Sequence, residues 1–502
     1  MAALQKSDLI AVVGAGAMGA GIAQVAAQAG HQVLLFDAKE GAADKGRSGV
    51  LSGLDKLVER GKIERATREE VATRLKVVSS LTELSAAKLT VEAIVESLEV
   101  KRKVFAELED IVTPDAILAT NTSSLSVTAI AAGLKHPTRL AGLHFFNPAP
   151  IMALVEIVTG LATDRDVLDT LFETAKAWGK VPVHAKSTPG FIVNRVARPF
   201  YAEGLRLLEE GAADVPTLDA IVREAGGFRM GPFELMDLIG HDVNFAVTKS
   251  VFDAYFFDPR YRPSLTQQEL VAAGWFGRKS GRGFYDYAKE AAKPQANAYK
   301  DCPAPRSVTV VGNLGPAEAL ILALEVKGIK IQRTDGAGCL KIEGASLALT
   351  DGRTATARAA EKDAKDLVLF DLALDLAVSG RVALAKAAQA PETALDAAAG
   401  LFQALGKAVS VVDDLPGLVV MRTVAMLANE AAEAVHVGVA SRNDIDSAMK
   451  FGVNYPVGPL AWAEKVGFRH ILETLDALHA VYGDDRYRPS LLLRRLSIKP
   501  TN

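Results

Sequence analysis

At 502 residues the chain is too long for one ordinary domain, and about three or four are expected. With 49% hydrophobic and 23% charged residues it has the make-up of a soluble globular protein, and a net charge of -3 gives no reason to expect a nucleic acid or a membrane surface as partner. Cys302 and Cys339, the two cysteines, exclude a disulfide framework and have no metal-type spacing, so no metal and a reducing, cytoplasmic home are expected. The first strand is expected to begin near Leu9, so no signal or transit peptide is expected. Asp371, Asp375 and Arg422 interrupt the most apolar stretches, so no transmembrane helix is expected.

In chain order, Leu9–Val13 reads as a buried parallel strand running into Gly14-Ala15-Gly16-Ala17-Met18-Gly19 and an Ala-rich helix. Gly14 makes the tight turn, Gly16 lets backbone approach a pyrophosphate, and Gly19 lets helix and strand pack closely. The helix N-terminus offers free N–H groups to phosphates. A second strand, Val33–Phe36, ends at Asp37, whose carboxylate suits ribose hydroxyls and repels a 2'-phosphate, so NAD is favoured over NADP. Strands at Leu89–Ala93, Ala116–Thr120 and Leu140–His144 alternate with helices around Ala43–Arg60 and Lys101–Ile111. This is the α/β pattern of a Rossmann-type doubly wound sheet, where ligands bind beyond the carboxyl ends of strands. Asn121–Ser124 and His144–Asn147 fall at such ends.

His144 ends its strand just before Pro148 and Pro150 turn the chain. The next strand, expected over Ile151–Val158, carries one charge, Glu156, in an apolar run; a carboxylate there is costly unless paired, and a histidine is a natural partner. The alternative is a Glu156 facing solvent on an edge strand. Thr188-Pro189-Gly190 reads as a helix start with a threonine cap, placing Asn194 in the second turn. Ser123 and Asn194 can each be local caps. Together with His144 and Glu156 they form the set that takes a proton from an alcohol and holds the oxygen while hydride leaves for a nicotinamide.

The segments VVGAGAMGAGIAQ, VEAIVE, NTSSLSV, GLHFFNPAP, LVEIV, TPGFIVNR, GPFELMDLIG and GRKSGRGFYDY, in this order, resemble those of the L-3-hydroxyacyl-CoA dehydrogenase family across residues 8–287. The resemblance implies that His144 is the base, Glu156 its partner, and Ser123 and Asn194 the groups on the reacting oxygen. It implies cofactor contacts at Met18, Asp37, Glu96, Lys101, Ser123, Asn147 and Lys279, beside Gly14, Gly16 and Gly19. It also implies an acyl-CoA thioester substrate, and a helical domain that forms the dimer interface in single-copy members.

The chain then repeats itself. At a constant offset Pro189-Gly190 meets Pro416-Gly417, Arg195 meets Arg422, Glu203 meets Glu430, Asp219 meets Asp446, and Gly231-Pro232 meets Gly458-Pro459. One residue out of step, Arg260–Leu265 meets Arg486–Leu491. Met421 stands where Asn194 did, and Gly312-Asn313-Leu314-Gly315 lacks the full glycine pattern, so the copy is a degenerate partial repeat without a cofactor site. The expected domains are 1–186 for NAD, 187–290 helical, a linker 291–306, a reduced Rossmann-like domain 307–412 and a second helical domain 413–502, the two helical parts docking as an internal pseudo-dimer or serving a homodimer.

The duplicated layout resembles bacterial dehydrogenases of phenylacetate breakdown acting on 3-hydroxyadipyl-CoA. A dicarboxylic acyl group wants a cation at its far end, and Arg229 and Arg198 are candidates, each otherwise expected to face solvent. The competing readings are a short-chain 3-hydroxybutyryl-CoA enzyme, a dehydrogenase of free sugar acids, and a non-catalytic NAD-binding protein.

Overall fold

The computed structural model describes residues 2–289, 291, 292 and 294–498. Glu290, at the expected end of the first helical domain, lies outside them. The chain forms two compact units, one holding residues up to Arg195 with Val437–Val453, the other Val196–His436 with the residues from Asn454 on.

The first unit is built on an eight-stranded sheet in the order β3-β2-β1-β4-β5-β6-β7-β8. Its strands are β1 Ile10–Val13, β2 Val33–Phe36, β3 Leu75–Val77, β4 Leu89–Glu92, β5 Ile117–Thr120, β6 Leu140–Phe145, β7 Leu154–Thr159 and β8 Val181–Lys186. Every pairing is parallel except β6 with β7. The central strands are apolar on both faces because helices cover both, and Ile10, Val12, Leu89, Val91 and Ala119 form the core with Ile22 and Leu54 from those helices.

β7 starts later than the sequence suggests. Pro148 and Pro150 hold the chain in a turn, with the N–H groups of Ile151 and Met152 donating to the Pro148 carbonyl, and Ile151 is left exposed. Glu156 does not face solvent on an edge strand: β7 lies between β6 and β8, and the side chain is fully buried. The edge strand is β8. There the Lys186 N–H donates to the Val439 carbonyl at 2.8 Å, and Gly452, at the end of the helix Arg442–Gly452, packs so closely that an added Cβ would lie 2.5 Å from Leu154. A piece of the second repeat thus covers the sheet edge of the first unit.

The second unit holds a seven-stranded sheet ordered β10-β9-β11-β12-β13-β14-β15. Its strands are β9 Ser307–Val311, β10 Lys330–Thr334, β11 Cys339–Ile342, β12 Ala345–Leu349, β13 Leu367–Phe370, β14 Arg381–Lys386 and β15 Ala408–Val411. It is mixed: β11 runs antiparallel to both β9 and β12, and β13 antiparallel to β14. In the same unit the helix Arg198–Glu209 and its repeat counterpart within Val420–His436 pack together. The contact is reciprocal. The Tyr261 hydroxyl donates to Glu430 at 2.6 Å, and the Tyr487 hydroxyl lies 3.2 Å from Glu203, each tyrosine meeting the other copy's glutamate. Arg422, fully buried, donates from Nε to Glu203 at 2.8 Å and from Nη1 to Glu210 at 2.8 Å. Exchange of equivalent partners is the signature of two-fold packing.

Among the described residues no helix is long and apolar enough to cross a membrane, and no group of three or more His, Cys, Asp or Glu side chains is placed to hold a metal ion.

Candidate active site

The glycine loop divides its work by sterics. Gly14 has φ +101°, and a Cβ there would sit 2.5 Å from the Ala93 carbonyl oxygen. At Gly19 a Cβ would meet the Gly14 carbonyl at 1.8 Å, so the close approach of helix and turn needs hydrogen there. Gly16 differs: nothing of the protein lies within 4 Å of an added Cβ, and the space above it stays open. Gly16 begins the helix Ala17–Gln28 with no side-chain cap, so the first N–H groups remain for a ligand. Asp37 Oδ2 accepts from the Ala15 N–H at 2.7 Å and Oδ1 from the Lys39 N–H at 2.9 Å, which aims the carboxylate while leaving each oxygen a lone pair. A cleft of about 870 Å³ lies over Ala15, Gly16, Ala17, Asp37 and Lys39. These features fit a dinucleotide with free ribose hydroxyls. Met18 is half-buried on the first turn of the helix.

Behind the ends of β4 and β5 lies a charged cluster that residue types alone did not reveal. Glu92, at the end of β4, accepts from Thr120 Oγ1 at 2.7 Å and from Lys101 Nζ at 2.6 Å. Lys101 is fully buried, and its ammonium also lies 3.2 Å from Glu96. Its charge is thus committed inside the protein, where it steadies Glu96. Glu96 Oε1 accepts from Thr122 Oγ1 at 2.6 Å, the Ser123 N–H at 3.0 Å and Ser124 Oγ at 3.0 Å. Burial works against the Glu96 charge, but the Thr122 hydroxyl, Lys101 and the serine donors outweigh it and hold the carboxyl below its ordinary range. Glu96 therefore fixes the backbone of Ser123, whose hydroxyl keeps no hydrogen bond within the protein among the described residues.

His144 and Glu156 are directly paired residues of the antiparallel β6–β7 ladder. Both are buried, and His144 Nδ1 lies 2.6 Å from Glu156 Oε2. A carboxylate only accepts, so Nδ1 carries the proton and Nε2 presents its lone pair. The imidazole packs against Phe146 and Phe191, with ring centroids 4.5 and 5.7 Å away. The Phe145 N–H donates to Asn121 Oδ1 at 2.8 Å, a brace between the ends of β5 and β6 that the sequence reading did not single out.

Thr188 does not cap a helix. Gly190 and Phe191 take φ +74° and +47°, which no regular helix accepts, and the helical turn begins only at Val193. Its cap comes from across the sheet: Glu156 Oε1 accepts the N–H groups of Ile192 and Val193, each at 3.0 Å. Asn194 follows at once in the same turn, half-buried, its amide without a hydrogen-bond partner from the protein among the described residues. One carboxylate thus orients the histidine with one oxygen and seats the Asn194 turn with the other.

Asn147 is exposed just past β6. Lys279 lies in the other compact unit, where its ammonium pairs with Asp242 at 2.7 Å. Arg229 is exposed there, whereas Arg198 is buried, contrary to the solvent-facing expectation.

The NAD-binding domain model of 3-hydroxyacyl-CoA dehydrogenases matches residues 9–188. The C-terminal domain model of the same enzymes matches twice, over 190–287 and 417–500. The reduced Rossmann-fold domain of 3-hydroxybutyryl-CoA dehydrogenase matches 347–416. A protein of Escherichia coli K12 named 3-hydroxyadipyl-CoA dehydrogenase is 46% identical over 491 residues, 97% of each chain. A crystal structure of 3-hydroxybutyryl-CoA dehydrogenase from Escherichia coli K12 superposes with a TM-score of 0.90 at 44% identity, covering 99% of both chains. Human mitochondrial hydroxyacyl-coenzyme A dehydrogenase is 40% identical over 284 residues, 55% of this chain and 90% of its own. The double match of the C-terminal model is the repeat seen in the sequence, and with the glycine loop and the buried histidine–glutamate pair it leaves one reading: the chain belongs to the 3-hydroxyacyl-CoA dehydrogenase family and is an NAD-dependent oxidoreductase.

Proposed function

We propose that Ser123, His144, Glu156 and Asn194 carry the oxidation of (S)-3-hydroxyacyl-CoA to 3-oxoacyl-CoA, and that the preferred acyl group is 3-hydroxyadipyl. The observation that carries the site assignment is the double engagement of Glu156, with His144 on one oxygen and the N–H groups of Ile192 and Val193 on the other. His144 Nε2 takes the proton of the 3-hydroxyl, and Glu156 steadies the imidazolium that results. Ser123 Oγ and the Asn194 amide hydrogen-bond the oxygen as it becomes a carbonyl. NAD, held over Gly14, Gly16, Met18 and Gly19 with its ribose on Asp37, supplies the hydride acceptor. Glu96, Asn147 and Lys279 are assigned to cofactor contact as well, with Lys101 acting through Glu96.

The adipyl preference rests on the 46% relative of matching length and name. The short-chain reading has its own support in the 3-hydroxybutyryl name of the structural neighbour. NADH absorbance followed with 3-oxoadipyl-CoA and with acetoacetyl-CoA separates them. A higher kcat/KM for the diacid is expected, and faster turnover of acetoacetyl-CoA would make the chain a short-chain enzyme. Turnover indifferent to competing free CoA would favour a sugar-acid dehydrogenase. We further assign residues 1–186, 187–290, 307–412 and 413–502 as domains around the linker 291–306. The reciprocal tyrosine–glutamate contacts support an internal pseudo-dimer in place of a subunit interface. A cytoplasmic location fits the low cysteine content.

A further inference from the structure

A cavity of about 550 Å³ lies wholly within the second unit, between the helix Arg198–Glu209, Thr248 and the turn following Arg260, with Arg486 contributed by the repeat. Most of its charges are matched. Arg206 pairs with Glu203, Arg486 lies 2.9 Å from Asp484, Glu210 takes Arg422, and Glu209 accepts from the Ser264 hydroxyl. Arg260 has Glu430 at 3.8 Å.

Arg198 has no such partner. Only 5% of it is exposed, and its one hydrogen bond runs from Nη1 to Thr248 Oγ1 at 2.9 Å. The guanidinium stands 4.8 Å from the centre of the Tyr201 ring, Nε has no partner, and no carboxylate pairs with it among the described residues. A buried guanidinium without a counter-ion opposes folding. Packing does not demand it, because the repeat places Ala425 at the corresponding helix position, fully buried. With Nη1 committed to Thr248, Nε and Nη2 remain, the side-by-side pair of donors that receives a carboxylate through two parallel bonds.

We propose that this cavity binds a carboxylate, with Arg198 as its anchor. One uncompensated positive charge matches one carboxylate. The group can be the far end of a dicarboxylic acyl chain or a free dicarboxylate; the first source rests on the adipyl reading above, the second does not.

The test uses the full chain and Arg198→Met, which keeps length and removes the charge. Thr248 Oγ1 still donates to the Asn244 carbonyl, so no buried donor is orphaned, and the variant melts at or above wild type without ligand. Adipate raises the melting temperature of wild type and not of the variant. If the acyl chain is the source, the ratio of kcat/KM for 3-oxoadipyl-CoA to that for acetoacetyl-CoA falls by about 10- to 100-fold in Arg198→Met, the loss of a charged hydrogen-bonded pair; that fall supports the proposal with or without an adipate shift. An adipate shift lost in the variant with an unchanged ratio supports a free dicarboxylate. Equal response to adipate together with an unchanged ratio overturns the proposal. A wild type that prefers acetoacetyl-CoA would sink the adipyl reading and leave the adipate measurement standing. Should Arg198→Met be insoluble, Arg198→Lys keeps the charge, loses the two-point geometry and is read on the same ratio.

Discussion

Two glycine turns in this chain begin alike and finish differently. After β1 the Gly14 N–H donates to the Phe36 carbonyl, and after β9 the Gly312 N–H donates to the Thr334 carbonyl, both at 2.8 Å. Asp37 ends the strand beside the first turn and Asp335 the strand beside the second. Where the first loop leaves Gly16 and a bare helix start, the second places Leu314, buried, with its N–H given to Glu318 Oε1 at 2.9 Å. Gly315 gives its N–H to Asn313 Oδ1 at 2.6 Å. Donors that would meet a pyrophosphate are spent on the protein's own side chains, and a carboxylate occupies the place of an anion.

A second contrast lies at the buried carboxylates that seat the helical turns. Asp371, just past β13, stands at the ladder place of His144 and faces Ala383 in the place of Glu156, yet it accepts the N–H groups of Val419 and Val420 on Oδ2 at 2.9 and 2.6 Å, as Glu156 accepts those of Ile192 and Val193, their repeat counterparts. With no histidine opposite, its other oxygen accepts from Met421 at 3.0 Å and from Leu372 at 2.8 Å. Each copy thus seats its helical turn on a buried carboxylate, but from opposite strands of the ladder.

The largest effect should come from His144→Gln. If only the first copy works, turnover falls by about 10²–10⁴ while NAD affinity, read by fluorescence titration, stays within a few-fold. A loss of only half the turnover would mean the second copy is active. Next, Glu156→Gln keeps an oxygen for Ile192 and Val193 but turns an amide N–H toward His144, forcing the imidazole into the tautomer whose Nε2 cannot accept a proton. Turnover should fall by up to about 10⁴ with little change in melting temperature. Asp371→Asn should do the reverse, since both of its oxygens face N–H donors and one pair is left unmet, costing about 1–3 kcal/mol for each orphaned group with turnover retained. Matching profiles for the two variants would break the comparison. The smallest effect concerns pH. Burial pushes the Asp371 carboxyl up to about 6, only partly offset by its four backbone donors. A raised acid favours the folded state while protonated, so this contribution is full below about pH 4, the unfolded value, and is lost as pH rises through about 6. Asp371→Asn lacks that titration, and its melting-temperature deficit against wild type should therefore narrow between pH 4 and pH 7.

Local spacing fixed much of this in advance. The glycine loop, Asp37, the alternation of strands and helices and the offset of the repeat are properties of neighbouring residues, because turns, caps and periodicity act over a few positions. The pairing of His144 with Glu156 was readable as well, since a charge in an apolar strand must find a partner. The tertiary structure alone decided the rest. That Glu156 and not Thr188 seats the Asn194 turn, that Glu318 fills the second anion position, that Val437–Val453 covers the edge of the first sheet and that Arg198 is buried without a carboxylate all depend on which distant groups burial brings together. Sequence shows that a buried donor or charge needs an answer, and only the packed chain shows which residue gives it.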